Sequence, residues 1–203
     1  GIAFYDLDSG AIEWIARPDP VPTNRFNEGK CDRQGRFWAG TMDDRLKEHS
    51  AALFRIDPDL TVTRVLDGIG ISNTMVWSLD DRYFYFADTL DGAIDRFEYD
   101  PASGTIANRR RIVDLKGTGI GPDGSTIDSE GFIWNAQWDG WRLARYAPDG
   151  RLDRIVELPV QKPTSCMFGG PDLRTLYVTS AIWDLTPEQL LDQPQAGGLF
   201  AVD

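Results

Sequence analysis

"DRQGRFWAGT" (32–41), "DDRYFYFADT" (80–89), "DSEGFIWNAQ" (128–137) and "DLRTLYVTSA" (172–181) share one plan: an aspartate at a turn, then a run of bulky apolar residues. Their starts are spaced by 48, 48 and 44 residues. A second element recurs between them, in "GIAFYDLDSGAIEWIA" (1–16), "ALFRIDPDLTVTRVL" (52–66), "AIDRFEYDPASGTIANRRRIV" (93–113) and "WRLARYAPDGRLDRIVEL" (141–158). In each, a strand with an aromatic near its end runs into a turn of Asp, Pro, Gly or Ser and then a second strand, which is a hairpin signal. "GGLFAVD" (197–203) reads as the first strand of a fifth hairpin.

Two inner strands and one outer hairpin in every 45 or so residues is the signature of a propeller blade. The expected fold is an all-β β-propeller, a single domain over residues 1–203. The one helical candidate is "TPEQLLDQ" (186–193), with Thr186 or Pro187 at its start. The chain holds roughly four and a half blades, at the low edge of what closes into a ring. Open strand edges invite association, so the sequence is expected to be N-terminally incomplete, with self-association a consequence if the ring is not completed.

Composition narrows the function. The 203 residues carry a net charge of −11 at pH 7, which argues against nucleic acid and against an anionic membrane surface. No apolar run is long enough to span a bilayer. A cytoplasmic location is expected, though the lack of a visible leader says little in a sequence that begins mid-pattern at Gly1. Cys31 and Cys166 are too few for a disulfide scaffold. Both sit beside strand-like residues, where small buried hydrophobes are expected. The sole histidine, His49, lies in the polar run "DDRLKEHS" (43–50), an exposed loop, so histidine-based nucleophilic catalysis is not expected.

In a propeller the inner strands line a channel, and a site at its mouth draws residues from several blades. The stretches "TNRFNEGKCD" (23–32), "GIGISNTMVWSLD" (68–80), "GTGIGPDGSTID" (117–128) and "VQKPTSCMFGGPD" (160–172) read as loops before the inner strands. They are rich in oxygen donors: Asn27, Glu28, Asn73, Asp123, Thr164 and Ser165. Asn27, Asn73 and Asp123 precede their blade aspartates by 5, 7 and 5 residues. Such oxygens suit one divalent cation, Ca²⁺ or Mg²⁺ first, with Mn²⁺ or Zn²⁺ also admissible. Asn, Asp and Gly also form turns, and the residues alone leave both roles open for Asn73 and Asp123. Asp32, Asp80, Asp128 and Asp172 are expected as turn formers, and Trp38, Trp77 and Trp134 as core.

"RFNEGKCDRQGRFWAGTM" (25–42), "ISNTMVWSLDDRYFYFADT" (71–89), "PDGSTIDSEGFIWNAQWDG" (122–140) and "PTSCMFGGPDLRTLYVTSA" (163–181) together resemble the motif series of the SMP-30/gluconolactonase/regucalcin family, in order and along essentially the whole chain. With "WNAQWDGWRL" (134–143), the bacterial sugar-acid lactonases are the most similar members. The resemblance implies a six-bladed propeller, a divalent cation at the channel mouth, and hydrolysis of an aldonolactone such as gluconolactone, xylonolactone or arabinonolactone. It implies Asn73 and Asp123 as metal ligands, Asp123 also as general base, and Arg25 and Asn27 as substrate-binding residues. An acidic residue after "AGTM" can hold substrate in the family, which points loosely to Asp43 or Asp44. Three departures stand out: the family's ligand Glu from the first blade is not in this chain, Thr74 replaces a usual Gly, and Glu28 replaces a usual Asp. A calcium-binding protein without catalysis, or an inactive fragment, are the alternatives.

Overall fold

The computed structural model describes residues 1–202. An isolated hairpin comes first, β1 (Ile2–Tyr5) with β2 (Ile12–Ala16). Three antiparallel four-stranded sheets follow. The first holds β3 (Asn24–Cys31), β4 (Phe37–Asp43), β5 (Ala51–Ile56) and β6 (Val62–Ile69). The second holds β7 (Ser72–Trp77), β8 (Tyr83–Asp88), β9 (Ala93–Asp100) and β10 (Thr105–Asp114). The third holds β11 (Gly121–Ile127), β12 (Ile133–Trp138), β13 (Arg142–Tyr146) and β14 (Leu152–Glu157). The last sheet has three strands, β15 (Pro163–Gly169), β16 (Thr175–Ser180) and β17 (Leu199–Val202). This is the expected propeller arrangement, with outer strands where the hairpins were read. The short helix α1 (Pro187–Asp192) sits before β17, and Thr186 caps it in a reciprocal capping box with Gln189.

The core lies between blades rather than within them. Trp38 and Leu53 of one sheet pack on Trp77, Phe84 and Phe97 of the next. Val76, Tyr85 and Ile94 meet Ile133, Ala144 and Tyr146. Trp134, Ala136 and Leu143 meet Cys166, Leu176 and Val178. Strands β7 and β8 are buried almost throughout, whereas β14 is almost wholly exposed. Continuous apolar runs therefore mark the inside of a blade and mixed runs its rim.

The turn aspartates divide into two kinds, which corrects the simple repeat. Asp32 and Asp128 each stand five residues before an inner strand. Asp32 Oδ1 accepts the Gln34 and Arg36 N–H groups, and its Oδ2 accepts Trp38 Nε1–H. Asp128 repeats this with Glu130, Phe132 and Trp134. In the second blade Ser78, not Asp80, holds the equivalent place, accepting the Arg82 and Tyr83 N–H groups. Asp80 and Asp172 stand three residues before β8 and β16 and accept one N–H each, from Arg82 and Arg174. Cys166 is buried as expected, but Cys31 is exposed at the end of β3, so its burial is also corrected. No helix among the described residues is long and apolar enough to cross a membrane.

Candidate active site at the channel mouth

The stretches expected as loops are the innermost strands themselves. Each of β3, β7, β11 and β15 carries an irregularity in its pairing, between Phe26 and Gly29, Asn73 and Met75, Pro122 and Ser125, and Pro163 and Ser165. A bulge turns a side chain out of the normal alternation. Asn27, Asn73 and Asp123 each lie ten residues before the start of the next strand, β4, β8 and β12 respectively. Their sequence offsets of 5, 7 and 5 differed only because Asp80 is not the structural equivalent of Asp32 and Asp128. The bulge on β11 also needs Gly124: a Cβ there would stand 2.4 Å from Ser165 Oγ and 2.9 Å from the Thr164 carbonyl oxygen.

Arg25, Asn27, Asn73 and Asp123 all line one cavity of about 850 Å³, together with Glu28 and Asp44. Arg25 is held on the rim. Its Nε donates to Asp44 Oδ1 at 2.6 Å and its Nη1 to Asn27 Oδ1 at 3.2 Å. Asn27 in turn donates from Nδ2 to the Ser72 carbonyl at 2.9 Å, tying β3 to β7. Of the two acidic candidates after "AGTM", Asp44 reaches the site. Asp43 is buried and accepts the N–H groups of Lys47 and Glu48 along with Arg45 Nε–H, a turn role.

Asp123 is half-buried, and among the described residues its carboxylate forms no ion pair. Its Oδ1 accepts one N–H, from Gly124 at 2.9 Å. Burial pushes this carboxyl up to about 8, against that single N–H and with the Glu28 charge adding to the rise. Burial likewise raises Glu28, with Lys30 opposing. Lys30 reaches across the channel to the Ser125 carbonyl at 2.9 Å, and burial lowers its own pKa. The Asp123 and Glu28 carboxylates and the Asn73 amide line the same cavity, and this hard-oxygen donor set fits a divalent ion.

The Asp123 backbone is braced by Thr74 of the neighbouring blade and by Asn135 of its own. Thr74 Oγ1 donates to the Asp123 carbonyl at 2.6 Å, and Asn135 Nδ2 donates to the same oxygen at 3.0 Å. Thr74 stands at φ 38°, in the left-handed region that favours glycine, the residue the family resemblance implies there. Thr74 is fully buried, and its hydroxyl contact with Asp123 offsets that backbone cost.

Some cavity residues were not singled out by sequence. Thr89 lies beside Asn73, and Trp183 packs against Trp138 with ring centroids 6.0 Å apart on the cavity wall. Trp138 thus lies at the site, whereas Trp141 lines a separate hollow with Arg142 and Glu157. A second metal-capable group lies near the rim: ligand atoms of His49, Asp88 and Asp91 stand within 4.8 Å of one another. Asp88 there already accepts the N–H groups of Gly70, Ile71 and Leu90 at 2.9, 3.0 and 3.1 Å.

A family profile described as "SMP-30/Gluconolactonase/LRE-like region" matches residues 1–182. Regucalcin of Oryctolagus cuniculus is 44% identical over 204 residues, covering 97% of this chain and 68% of that protein. Regucalcin of Sus scrofa is 41% identical over 201 residues, covering 96% and 67%. A crystal structure described as a calcium-binding protein, regucalcin, from Agrobacterium tumefaciens str. C58 has a TM-score of 0.93 at 31% identity, covering 100% of this chain and 69% of that one. The chain thus spans about two thirds of the length of these relatives. The bulged inner strands, their shared cavity and these matches agree: the chain belongs to the SMP-30/gluconolactonase/LRE-like family.

Proposed function

We propose that this chain carries the reaction centre of a metal-dependent lactonase that hydrolyses an aldonolactone such as gluconolactone, xylonolactone or arabinonolactone. The observation behind this is the Asp123 carboxylate, unpaired and pushed up to about 8, on the same cavity as Asn73 in a family described by gluconolactonase. Asn73 and Asp123 would hold the cation, which supplies Lewis acidity toward the lactone carbonyl. Asp123 Oδ1 is engaged by Gly124, so Oδ2 is the atom free to take the proton of the attacking water. That proton then passes to the ring oxygen as the acyl C–O bond breaks, giving the hydroxy acid. Arg25 is fixed through Nε and Nη1, which leaves Nη2 for a substrate oxygen. Asn27 is engaged at both amide ends and steadies that guanidinium.

The test is acid release from gluconolactone and xylonolactone by the full chain with Mn²⁺, Zn²⁺ or Ca²⁺. Turnover should vanish with chelator and fall by roughly 100-fold or more in Asp123→Ala. Unchanged metal-dependent turnover in that variant would sink the assignment. Calcium binding is the second reading, supported by the description of the Agrobacterium structure. Stoichiometric Ca²⁺ uptake with no turnover on any aldonolactone would favour it.

A further inference from the structure

We infer that Thr89 is a positioning residue: its hydroxyl decides which end of the Asn73 amide faces the cation and ties that amide to the strand of Asp123. The inference rests on the reading of Asn73 and Asp123 as cation ligands. Thr89 Oγ1 is 2.7 Å from the Pro122 carbonyl oxygen and 2.8 Å from Asn73 Nδ2. A carbonyl can only accept, and a threonine hydroxyl has one proton, so that proton goes to Pro122. Toward Asn73 the same oxygen can then only accept, and the amide must present Nδ2–H. Asn73 Oδ1, which no described residue engages, is left for the cavity, where a cation needs an oxygen and not an NH₂ group.

Thr89 is itself held in place. Its N–H donates to the Ile71 carbonyl at 3.0 Å. The Asp88 carboxylate fixes the chain on either side through Gly70, Ile71 and Leu90. The Thr89 methyl closes on Gly121, where a Cβ would stand 2.6 Å from Cγ2. The rotamer that places this methyl aims the hydroxyl at Pro122. Asn73 on β7 and the residue before Asp123 on β11 are thereby joined through a single side chain. Thr89→Val keeps the shape and removes the hydroxyl, which frees the amide to turn and strips Pro122 of its donor.

The experiment is Mn²⁺ titration by calorimetry on the full chain, with thermal unfolding in chelator to follow the fold. Thr89→Val should weaken Mn²⁺ binding about 10–100-fold, while Thr89→Ser stays within about threefold of the parent. Unfolding temperatures in chelator should be similar for both, since a purely structural role would move stability without this split in affinity. If Thr89→Val does not fold, Thr89→Ala makes the same comparison. Parent-like Mn²⁺ affinity in Thr89→Val, or an equal loss in Thr89→Ser, overturns the inference. Asp123→Ala separates the two layers. If it abolishes binding while Thr89→Val does not, only the role of Thr89 fails. If Asp123→Ala binds Mn²⁺ normally, the cation site fails and Thr89 with it.

Discussion

Binding of Mn²⁺ should release close to one proton at pH 7. In the metal-free chain the desolvation of the half-buried Asp123 carboxyl, with the Glu28 charge adding to it, pushes it up to about 8 against the one N–H it accepts from Gly124. A carboxyl must lose its proton to act as a ligand. With that pKa, roughly 0.9 proton is released per ion at pH 7, about 0.5 at pH 8 and about 0.1 at pH 9. Apparent affinity should rise about tenfold per pH unit below 8 and then level off. Calorimetry in two buffers of different ionisation enthalpy gives the proton count directly. The metal-free fold should respond in the opposite sense. Between the ordinary value of 3.8 and about 8 only the folded state holds this proton, so stability falls as pH rises through that window. Release near zero at pH 7 would mean that Asp123 is already ionised, and the burial argument would be wrong.

Two further outcomes test the scaffold and the rim. Trp38 is fully buried, packs on Trp77 and Phe84 with centroids 5.9 and 5.2 Å away, and donates to Asp32. Trp38→Ala should cost about 3–5 kcal/mol in urea unfolding, and a loss below about 1 kcal/mol would contradict the inter-blade core. Arg25→Ala should raise KM for the lactone by roughly tenfold with a smaller change in kcat, because Arg25 sits on the rim rather than beside Asp123. A fall in kcat at constant KM would place Arg25 in the chemical step instead.

The blades were legible because each strand writes its burial into the sequence. Aromatic runs such as "YFYFAD" (83–88) mark inner strands, and Gly, Pro and Asp mark the turns between them. Asn73 and Asp123 were legible through their recurrence before successive inner strands. The bulges were not, because an irregular pairing depends on the partner strand, so bulged inner strands read as loops. Asp80 misled because Ser78 does in the second blade what Asp32 and Asp128 do in the first and third. Thr89 was hidden because its place beside Asn73 comes from the fold of β7 against β8 and not from spacing. Asp44 was legible only as one of two acidic residues after "AGTM"; what singles it out is Arg25, brought to it by the pairing of β3 with β4.

The central claim is the place of the cation, and a crystal of the full chain grown with Mn²⁺ tests it most directly. Anomalous scattering should give a peak in contact with Asn73 Oδ1 and an Asp123 carboxylate oxygen. A peak held by His49, Asp88 and Asp91, with nothing touching Asn73 or Asp123, would contradict the account.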